Sequence, residues 1–424
     1  MLSLKLIREN KEKVIERLKI KNFDAKEIVD SIIKCDDQRR EFQLNKDNLQ
    51  NRLNEISKSI GQMFAQGKKD KAEAAKLETV ELKDQIKDLE SKFAIAEKEL
   101  NSLIVLLPNL PHESVPKGKG ENDNIVEKEV GKIPALKIKK PHWDLIKEYD
   151  IIDFELGTKI TGAGFPVYKG KGAKLQRALI SFFLDEAEKS GYTEILPPLV
   201  VNEDSGFGTG QLPDKEGQMY HVTVDNFYLI PTAEVPVTNL YRDMILSEKD
   251  FPIKNMAYSA CFRREAGSWG AHVRGLNRLH QFDKVEIVQI RKPEDSYIAL
   301  EEMKDHVEGL LKKLELPYRI LRLCGGDISF TSALTFDFEV YSAAQERWLE
   351  VSSVSNFEEF QTNRLKLRYR PENDKKTKLA HSLNGSALAL PRIMAAIIEN
   401  YQSDEGIQIP AVLHKYTGFT WITK

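Results

Sequence analysis

Two heptad seams of equal length, set on either side of one short breaker, constrain this chain more than any other feature. From Ile28 the residues Ile28, Ile32, Cys35, Arg39, Phe42, Lys46, Leu49, Leu53, Ile56, Ile60 and Met63 advance by alternating steps of four and three. That spacing keeps one stripe of an α-helix against a partner helix. Only Arg39 and Lys46 interrupt its apolar character. A second series, Ala72, Ala75, Thr79, Leu82, Ile86, Leu89, Phe93, Ala96, Leu100, Leu103 and Leu107, repeats the spacing. Between them lie residues 61–71, which hold Gly67 and the basic run Lys68, Lys69 and Lys71. The pattern predicts an antiparallel helical hairpin over about 28–107. With about 36 residues per helix it is a rod of roughly 50 Å, lacking any core beyond its own seam. Such a rod projects, and it suits dimerisation, spacing or gripping a long ligand. The lysines at its tip favour a phosphate-bearing partner, although acids balance bases along the rest of the arm.

A chain of 424 residues exceeds the size at which a single core keeps growing, so two domains are expected. Pro108, Pro111, Pro116, Gly118 and Gly120 stand among polar residues up to about Pro141 and mark a break. The sequence therefore divides into an N-terminal domain over 1–108, a linker region over 109–140 and a larger domain over 141–424. In the last, Lys174–Lys189 carries Leu175, Leu179, Phe182, Phe183 and Ala187 at helical spacing and runs into Ile195-Leu196-Pro197-Pro198. Strand-like stretches recur near Phe227, Met256, Phe282, Phe336 and Leu349, and a final helix is expected from about Ser386. The segments lack the regular βαβ period of a doubly wound sheet. The fold class is α+β, with hairpin-linked antiparallel strands flanked by helices.

The 63 basic and 65 acidic side chains nearly cancel, so any nucleic-acid contact must come from local patches and not from a global basic field. Cys35, Cys261 and Cys324 are odd in number and widely separated. They argue against a disulfide framework and against a thiolate zinc site, and they fit a reducing cytoplasm. No charged-then-apolar leader opens the sequence, and no apolar run approaches the ~18 residues of a membrane span. A soluble cytoplasmic protein with no membrane partner is expected.

One segment packs charge where charge is costly: Phe262-Arg263-Arg264-Glu265, a Gly-rich loop, then Leu279-His280-Gln281-Phe282-Asp283-Lys284-Val285-Glu286. Ala257, Tyr258, Ala260 and Phe262 before it, and Val285, Ile287, Val288 and Ile290 after it, read as two strands joined by a long loop. A buried charge costs several kcal/mol unless a partner or ligand compensates it, and arginine matches phosphate in fork geometry. A phosphate-bearing ligand and an ion pair on an exposed hairpin both fit this segment taken alone. The familiar nucleotide fingerprints are absent. Gly206, Gly208 and Gly210 lack the strand-then-helix setting of a dinucleotide loop, and no Gly-Lys-Ser/Thr occurs. Any ATP site here works without a P-loop. A His-Glu-x-x-His zinc motif is missing too.

Taken together, the helix ending in Pro197-Pro198, the Phe262-Arg263-x-Glu265 strand with its loop and Phe282, and Gly385-Ser386-Ala387-Leu388-Ala389-Leu390-Pro391-Arg392 resemble motifs 1, 2 and 3 of the class II aminoacyl-tRNA synthetases. Within that class the chain is similar to the seryl-tRNA synthetases. Four features select them: the long hairpin, Thr209-Gly210-Gln211-Leu212-Pro213, Thr232-Ala233-Glu234 and Glu350-Val351-Ser352-Ser353. The resemblance runs from Leu4-Lys5-Leu6-Ile7-Arg8-Glu9-Asn10 nearly to the C-terminus.

The resemblance implies a class II antiparallel catalytic sheet and a ligase that forms seryl-adenylate from L-serine and ATP. The seryl group then passes to tRNA(Ser), and the family extends the expectation to tRNA(Sec). It implies Arg263 on the α-phosphate and the serine carboxylate, and Arg392 on the γ-phosphate, as the two catalytic residues. Phe282 would stack on adenine, with Arg264, Glu265 and the backbone near Leu279 completing that side. Glu350, Val351, Ser352 and Ser353 would line the phosphates, Glu350 and Ser353 carrying Mg²⁺ on hard oxygens. Serine would meet Thr232, Ala233 and Glu234, the last against its ammonium, while Glu286 and Ser386 pair its hydroxyl. Lys68, Lys69 and Lys71 would touch tRNA along its long variable arm, and the loop from Ala266 to Arg278 would face the acceptor end. A homodimer built on motif 1 is implied, with no zinc.

Five positions depart from the family pattern. Leu390-Pro391 replaces a valine-glycine pair before the last arginine, Leu334 stands where a lysine is expected, and Val354 and Phe357 fill places often held by cysteine. The binding residues themselves are intact.

Overall fold

The computed structural model describes residues 1–214, 216–265 and 273–424. The chain forms two compact units, one of residues 1–19 and 23–108, the other of residues 20–22 and 109–424.

In the first unit, two short helices, α1 (Leu4–Glu9) and α2 (Lys11–Ile20), precede the hairpin of α3 (Lys26–Ala65) and α4 (Lys69–Ile104). The seam is one residue thick. Val29, Ile32, Cys35 and Leu53 of α3 face Ala72, Ala75, Leu82, Ile86, Ala96, Leu100 and Ile104 of α4. The two cations that break the heptad lie against the same aromatic: Arg39 and Lys46 each sit 5.8 Å from the centre of the Phe93 ring. Their stems cover apolar surface while their charges reach water. The breaker is shorter than the sequence suggested. α3 runs on through Gly61, since an exposed helix tolerates one glycine at about 1 kcal/mol, and Ile60 and Met63 continue the stripe. The chain turns only at residues 66–68, where Gly67 takes φ +73°. Lys68, Lys69 and Lys71 are all exposed at that tip.

The second unit is built on an eight-stranded sheet. In chain order its strands are β1 (Ile125–Val130), β2 (Thr193–Glu194), β3 (Ile253–Phe262), β4 (Gln281–Arg291), β5 (Tyr318–Arg322), β6 (Leu334–Ser342), β7 (Arg347–Glu358) and β8 (His381–Ala389). They lie side by side as β1-β5-β6-β7-β8-β4-β3-β2. Every pairing is antiparallel except β2 on β3. The helices α5 (His142–Glu148), α6 (Gly170–Lys189), α7 (Ser296–Lys313) and α8 (Leu390–Asn400) contribute to one continuous core with it. Leu175, Leu179, Phe182 and Phe183 of α6 are fully buried there, the stripe that the periodicity predicted.

Two boundaries differ from the sequence reading. Residues 109–140 do not behave as a free linker: Asn109 bonds the carbonyls of Thr331 and Phe357 at 2.9 and 2.8 Å, and β1 pairs with β5 at the sheet edge. An edge strand of alternating charge, here Glu127, Lys128 and Glu129, reads like loop because only one side of it is paired. The closing segment is also not helical from Ser386. Ser386–Ala389 ends the central strand β8, and α8 starts at Leu390. Ala-Leu-Ala-Leu favours helix locally, but pairing with β4 overrides that preference, as the continuation of a strand that β7 also pairs up to Gly385. The departures noted in the sequence are accommodated in packing. Leu334, Val354 and Phe357 are buried in apolar surroundings, and Pro391 occupies the first turn of α8, where a missing N–H costs nothing. Cys35, Cys261 and Cys324 are unpaired and buried. No described helix is long and apolar enough to cross a membrane.

Candidate active site

Strand alternation puts Phe282, Lys284 and Glu286 of β4 on one face of the sheet. Glu286 stands opposite Ala257 of β3 and Ser386 of β8. Its carboxylate is 2% exposed and forms an ion pair with Lys284, itself 6% exposed. The Thr232 hydroxyl donates to Glu286 at 3.2 Å and accepts from Lys284 Nζ at 2.9 Å. Beside this cluster Glu234, also buried, accepts from Gln361 Nε2 at 2.5 Å. Burial, then the charge of Glu286, pushes its carboxyl up to about 7, against the opposing pull of Gln361, Lys284 and Asn384. Two buried carboxylates therefore share one buried ammonium. A pocket with that surplus of negative charge is suited to a ligand cation. Ala233 packs beneath with Val237, Ala257 and Val288, and Ser386 is half-buried at the rim.

At the end of β3 the chain leaves the sheet as Arg263-Arg264-Glu265. Arg263 is held by its backbone N–H to the His280 carbonyl at 3.0 Å and by Nε to the Pro231 carbonyl at 3.3 Å. The guanidinium carbon lies 5.2 Å from the centre of the Phe282 ring. Arg264 is exposed and lies over the Tyr220 ring at 5.9 Å. Glu265 takes φ +48° and forms an ion pair with Arg278, which ties the two feet of the intervening loop together. Leu279 is a core residue by its side chain. Of the loop expected to face tRNA, residues 266–272 lie outside the described residues.

The third wall comes from α8 and β7. Ten of the eleven residues of α8 are buried, and the one that is not is Arg392. A helix that is apolar all round belongs to the core, so its single half-exposed arginine must be directed at something. Arg392 Nε donates to the Asn277 carbonyl at 3.1 Å, and Nη1 donates to the Glu350 carbonyl at 2.7 Å, with the Glu350 carboxylate at 3.5 Å. Ser352 donates its hydroxyl to the Ser386 carbonyl at 2.5 Å, joining β7 to β8 beside the first pocket. Val351 is buried beneath. Ser353 is paired in register with Asp337 of β6.

Asp337 matters for the cation expected at Glu350 and Ser353. Burial, then the charge of Glu350, drives its carboxyl well above the ordinary aspartate range, and Oδ1 has no hydrogen-bond partner among the described residues. A buried carboxyl with one oxygen unpartnered, held neutral next to the Ser353 hydroxyl, fits a hard divalent ion, whose charge would let it ionise. No group of three or more His, Cys, Asp or Glu among the described residues is arranged for a metal. Mg²⁺ in nucleotide sites typically takes one or two protein carboxylates and completes its shell with phosphates and water.

The fold thus brings Thr232, Glu234, Arg263, Phe282, Glu286, Glu350, Ser352, Ser353, Ser386 and Arg392 together on the neighbouring strands β3-β4-β8-β7 of one sheet and the segments beside them. Lys284, Asp337, Gln361 and Asn384 were not singled out in the sequence. Lys284 was within reach, since it shares the i, i+2 face of Phe282 and Glu286. Gln361 and Asn384 carry no local signal, because their partner Glu234 is more than a hundred residues away.

With that geometry in hand, the comparisons with known proteins become specific. Residues 220–401 match the model of the tRNA synthetase class II core domain (G, H, P, S and T). Sheet, strand-end arginine and motif 3 helix define a class II aminoacyl-tRNA synthetase. Residues 1–111 match the seryl-tRNA synthetase N-terminal domain. A serine–tRNA ligase of Salinibacter ruber is 50% identical over 424 residues, covering 100% of this chain and 99% of that protein. One from Akkermansia muciniphila is 46% identical over 420 residues, covering 99% of this chain and 98% of that protein. The crystal structure of seryl-tRNA synthetase from Pyrococcus horikoshii complexed with ATP shares 34% identity and a TM-score of 0.93, covering 100% of this chain and 99% of that one. The chain belongs to the seryl-tRNA synthetase family, class II ligases that join serine to tRNA.

Proposed function

We propose that this chain activates L-serine with ATP in the pocket at the ends of β3, β4, β7 and β8, and transfers the seryl group to tRNA(Ser). The observation that carries the reading is the buried cluster of Thr232, Glu234, Lys284 and Glu286, one positive charge short of neutrality. Serine supplies the missing cation: its ammonium pairs with Glu234 beside Thr232 and Ala233. Its hydroxyl donates to Glu286, already oriented by Lys284, and meets Ser386 on the opposite strand. Alanine would leave Glu286 without that donor, a penalty of up to ~10⁴-fold in a site built to pair a hydroxyl. Exclusion of threonine falls to the close walls of the pocket.

Activation is an in-line attack of the serine carboxylate on the α-phosphorus, and pyrophosphate departs with the bonding electron pair. The protein's task is alignment and neutralisation of the charge that spreads over the phosphates. Arg263 holds the serine carboxylate and the α-phosphate together. Phe282 offers its ring to adenine, with Arg264, Glu265 and the Leu279 backbone around the base. Arg392, aimed past Glu350, takes the γ-phosphate. Mg²⁺ on Glu350 and Ser353, with Val351 and Ser352 beside them, supplies charge neutralisation across the phosphates when bound. A hydroxyl of the terminal adenosine then attacks the seryl carbonyl and AMP leaves.

Lys68, Lys69 and Lys71 grip the long variable arm of the tRNA through its phosphates, with no anticodon reading needed. The family resemblance extends the substrate range to tRNA(Sec), and it supports a cytoplasmic homodimer assembled through motif 1. Serine-dependent ATP–pyrophosphate exchange, with threonine and alanine as controls, tests the core of the reading. Absence of exchange with serine would overturn it.

A further inference from the structure

The serine and ATP sites leave unused the most completely buried pair of titratable groups in the catalytic unit. His142, at the start of α5, and Glu399, near the end of α8, are both 0% exposed. Glu399 Oε1 accepts from the His142 backbone N–H and from its Nδ1, each at 2.7 Å. Its Oε2 accepts from the Ser342 hydroxyl, and both oxygens accept from Gln345 Nε2, at 2.9 and 3.1 Å. Burial raises the Glu399 carboxyl, but the His142 and Ser342 donors outweigh it and keep the group below the ordinary range. With Nδ1 donating to a carboxylate, Nε2 of a neutral imidazole is a lone-pair acceptor. It takes the Leu276 backbone N–H at 2.8 Å.

Leu276 belongs to the single 3-10 turn Gly275–Asn277, the distal foot of the loop that begins at Glu265. That foot is held at every residue. Trp143, next to His142, lies under Arg274, whose guanidinium carbon is 5.2 Å from the ring centre. Gly275 takes φ +66°, and a Cβ there would come within 2.3 Å of His142 Nε2, so no other residue fits against the imidazole. Asn277 donates from Nδ2 to Gln345 Oε1 at 3.0 Å, and its carbonyl accepts from Arg392 Nε at 3.1 Å. The bonds close a circuit: Arg392, Asn277, Gln345, Glu399, His142 and Leu276, which is bonded to Asn277 through the chain.

We propose that His142 and Glu399 are positioning residues for ATP. The Nε2 acceptor fixes the Gly275–Leu276 peptide, and the Asn277 carbonyl two peptide groups further on holds Arg392 at the angle that presents its guanidinium to the phosphates. A buried imidazole–carboxylate pair is an expensive way to hold apolar elements together. It is an economical way to give a main-chain N–H at a ligand site one defined acceptor. The proposal rests on reading Arg392 as an ATP ligand, and the experiment separates the two.

The variants His142→Asn and His142→Gln, made in the full chain, are compared with wild type in serine-dependent pyrophosphate exchange. Asparagine keeps a donor toward Glu399 but withdraws the acceptor from Leu276, while glutamine extends an amide oxygen to where Nε2 stood. Expected for H142N is a rise in KM for ATP of about tenfold, the scale of one lost hydrogen bond near a charged ligand, with KM for serine unchanged. H142Q recovers most of it. Trypsin cleavage after Arg274, mapped by mass spectrometry, is faster in H142N than in wild type. Equal behaviour of the two variants, or serine and ATP constants rising in step, overturns the proposal. Should H142N fail to fold, Gln345→Leu breaks the circuit on the Asn277 side, and an unchanged KM for ATP there overturns it equally. Wild-type enzyme without exchange would sink the functional reading, whereas equal cleavage of H142N and wild type would sink the hold of His142 on the loop foot, because that comparison needs no substrate.

Discussion

Glu234 gives the sharpest test of the serine pocket, because its ionisation in the free protein conflicts with its task. Its carboxyl is pushed up to about 7 by burial and by Glu286. The groups that face it are Thr232 on its own segment, Lys284 and Glu286 from β4, Asn384 from β8 and Gln361 from the helix Glu359–Leu365. Near neutrality about half of the free molecules hold a proton there. A serine ammonium needs the ionised form, so binding expels that proton and affinity increases with pH. The ionised fraction is about one in eleven at pH ~6 and about ten in eleven at pH ~8, a ratio of roughly ten or about 1.4 kcal/mol. KM for serine, measured by pyrophosphate exchange at saturating ATP and Mg²⁺, should therefore fall about tenfold over that interval. The serine α-amino group stays protonated throughout, so the change belongs to the protein. Glu234→Gln should bind serine weakly at every pH and show a flat profile. A constant KM in wild type, or the same slope in the glutamine variant, would refute the assignment of the ammonium to Glu234.

Removing the shared cation should be costly: Lys284→Met strands two carboxylates in a dry pocket, with an expected loss of about 3 kcal/mol measured by thermal or urea unfolding. Adding Glu286→Gln should restore much of that stability without restoring serine activation, a coupling read from the double-mutant cycle. Phe282→Ala should raise KM for ATP by ten- to a hundredfold, given ~1–3 kcal/mol for a base stacked on an aromatic ring. Neutralising Lys68, Lys69 and Lys71 together should raise KM for tRNA and flatten the log–log salt dependence of binding by about two to three units. An unchanged salt slope would place the tRNA backbone elsewhere.

What the sequence made legible divides along physical lines. The arm was readable because a heptad seam is a local code, and even its two exceptions, Arg39 and Lys46, proved to lean on one ring. The residues expected to act in catalysis were readable as motifs, and strand alternation alone would have added Lys284 to their neighbourhood. Three kinds of feature stayed hidden. β1 looked like linker because edge strands are deliberately polar. Ser386–Ala389 looked helical because its alanines and leucine prefer helix until β4 pairs with it. The Glu234–Gln361, Asp337–Ser353 and His142–Glu399 contacts join residues far apart in sequence, so nothing in any one window could announce them.

The single-layer seam of α3 and α4 also makes the arm a ruler. Each residue pair along it depends on its immediate neighbours and on nothing deeper, as in a repeat protein. Adding or deleting one heptad from both helices at matching positions would keep every remaining contact and change the reach by about 10 Å. Reach can therefore vary in discrete increments, independently of the chemistry, and under the proposed grip on the variable arm this would suit tRNAs whose arms differ in length. In this chain the coiled coil is where a change of length can be absorbed without touching a residue of the candidate site.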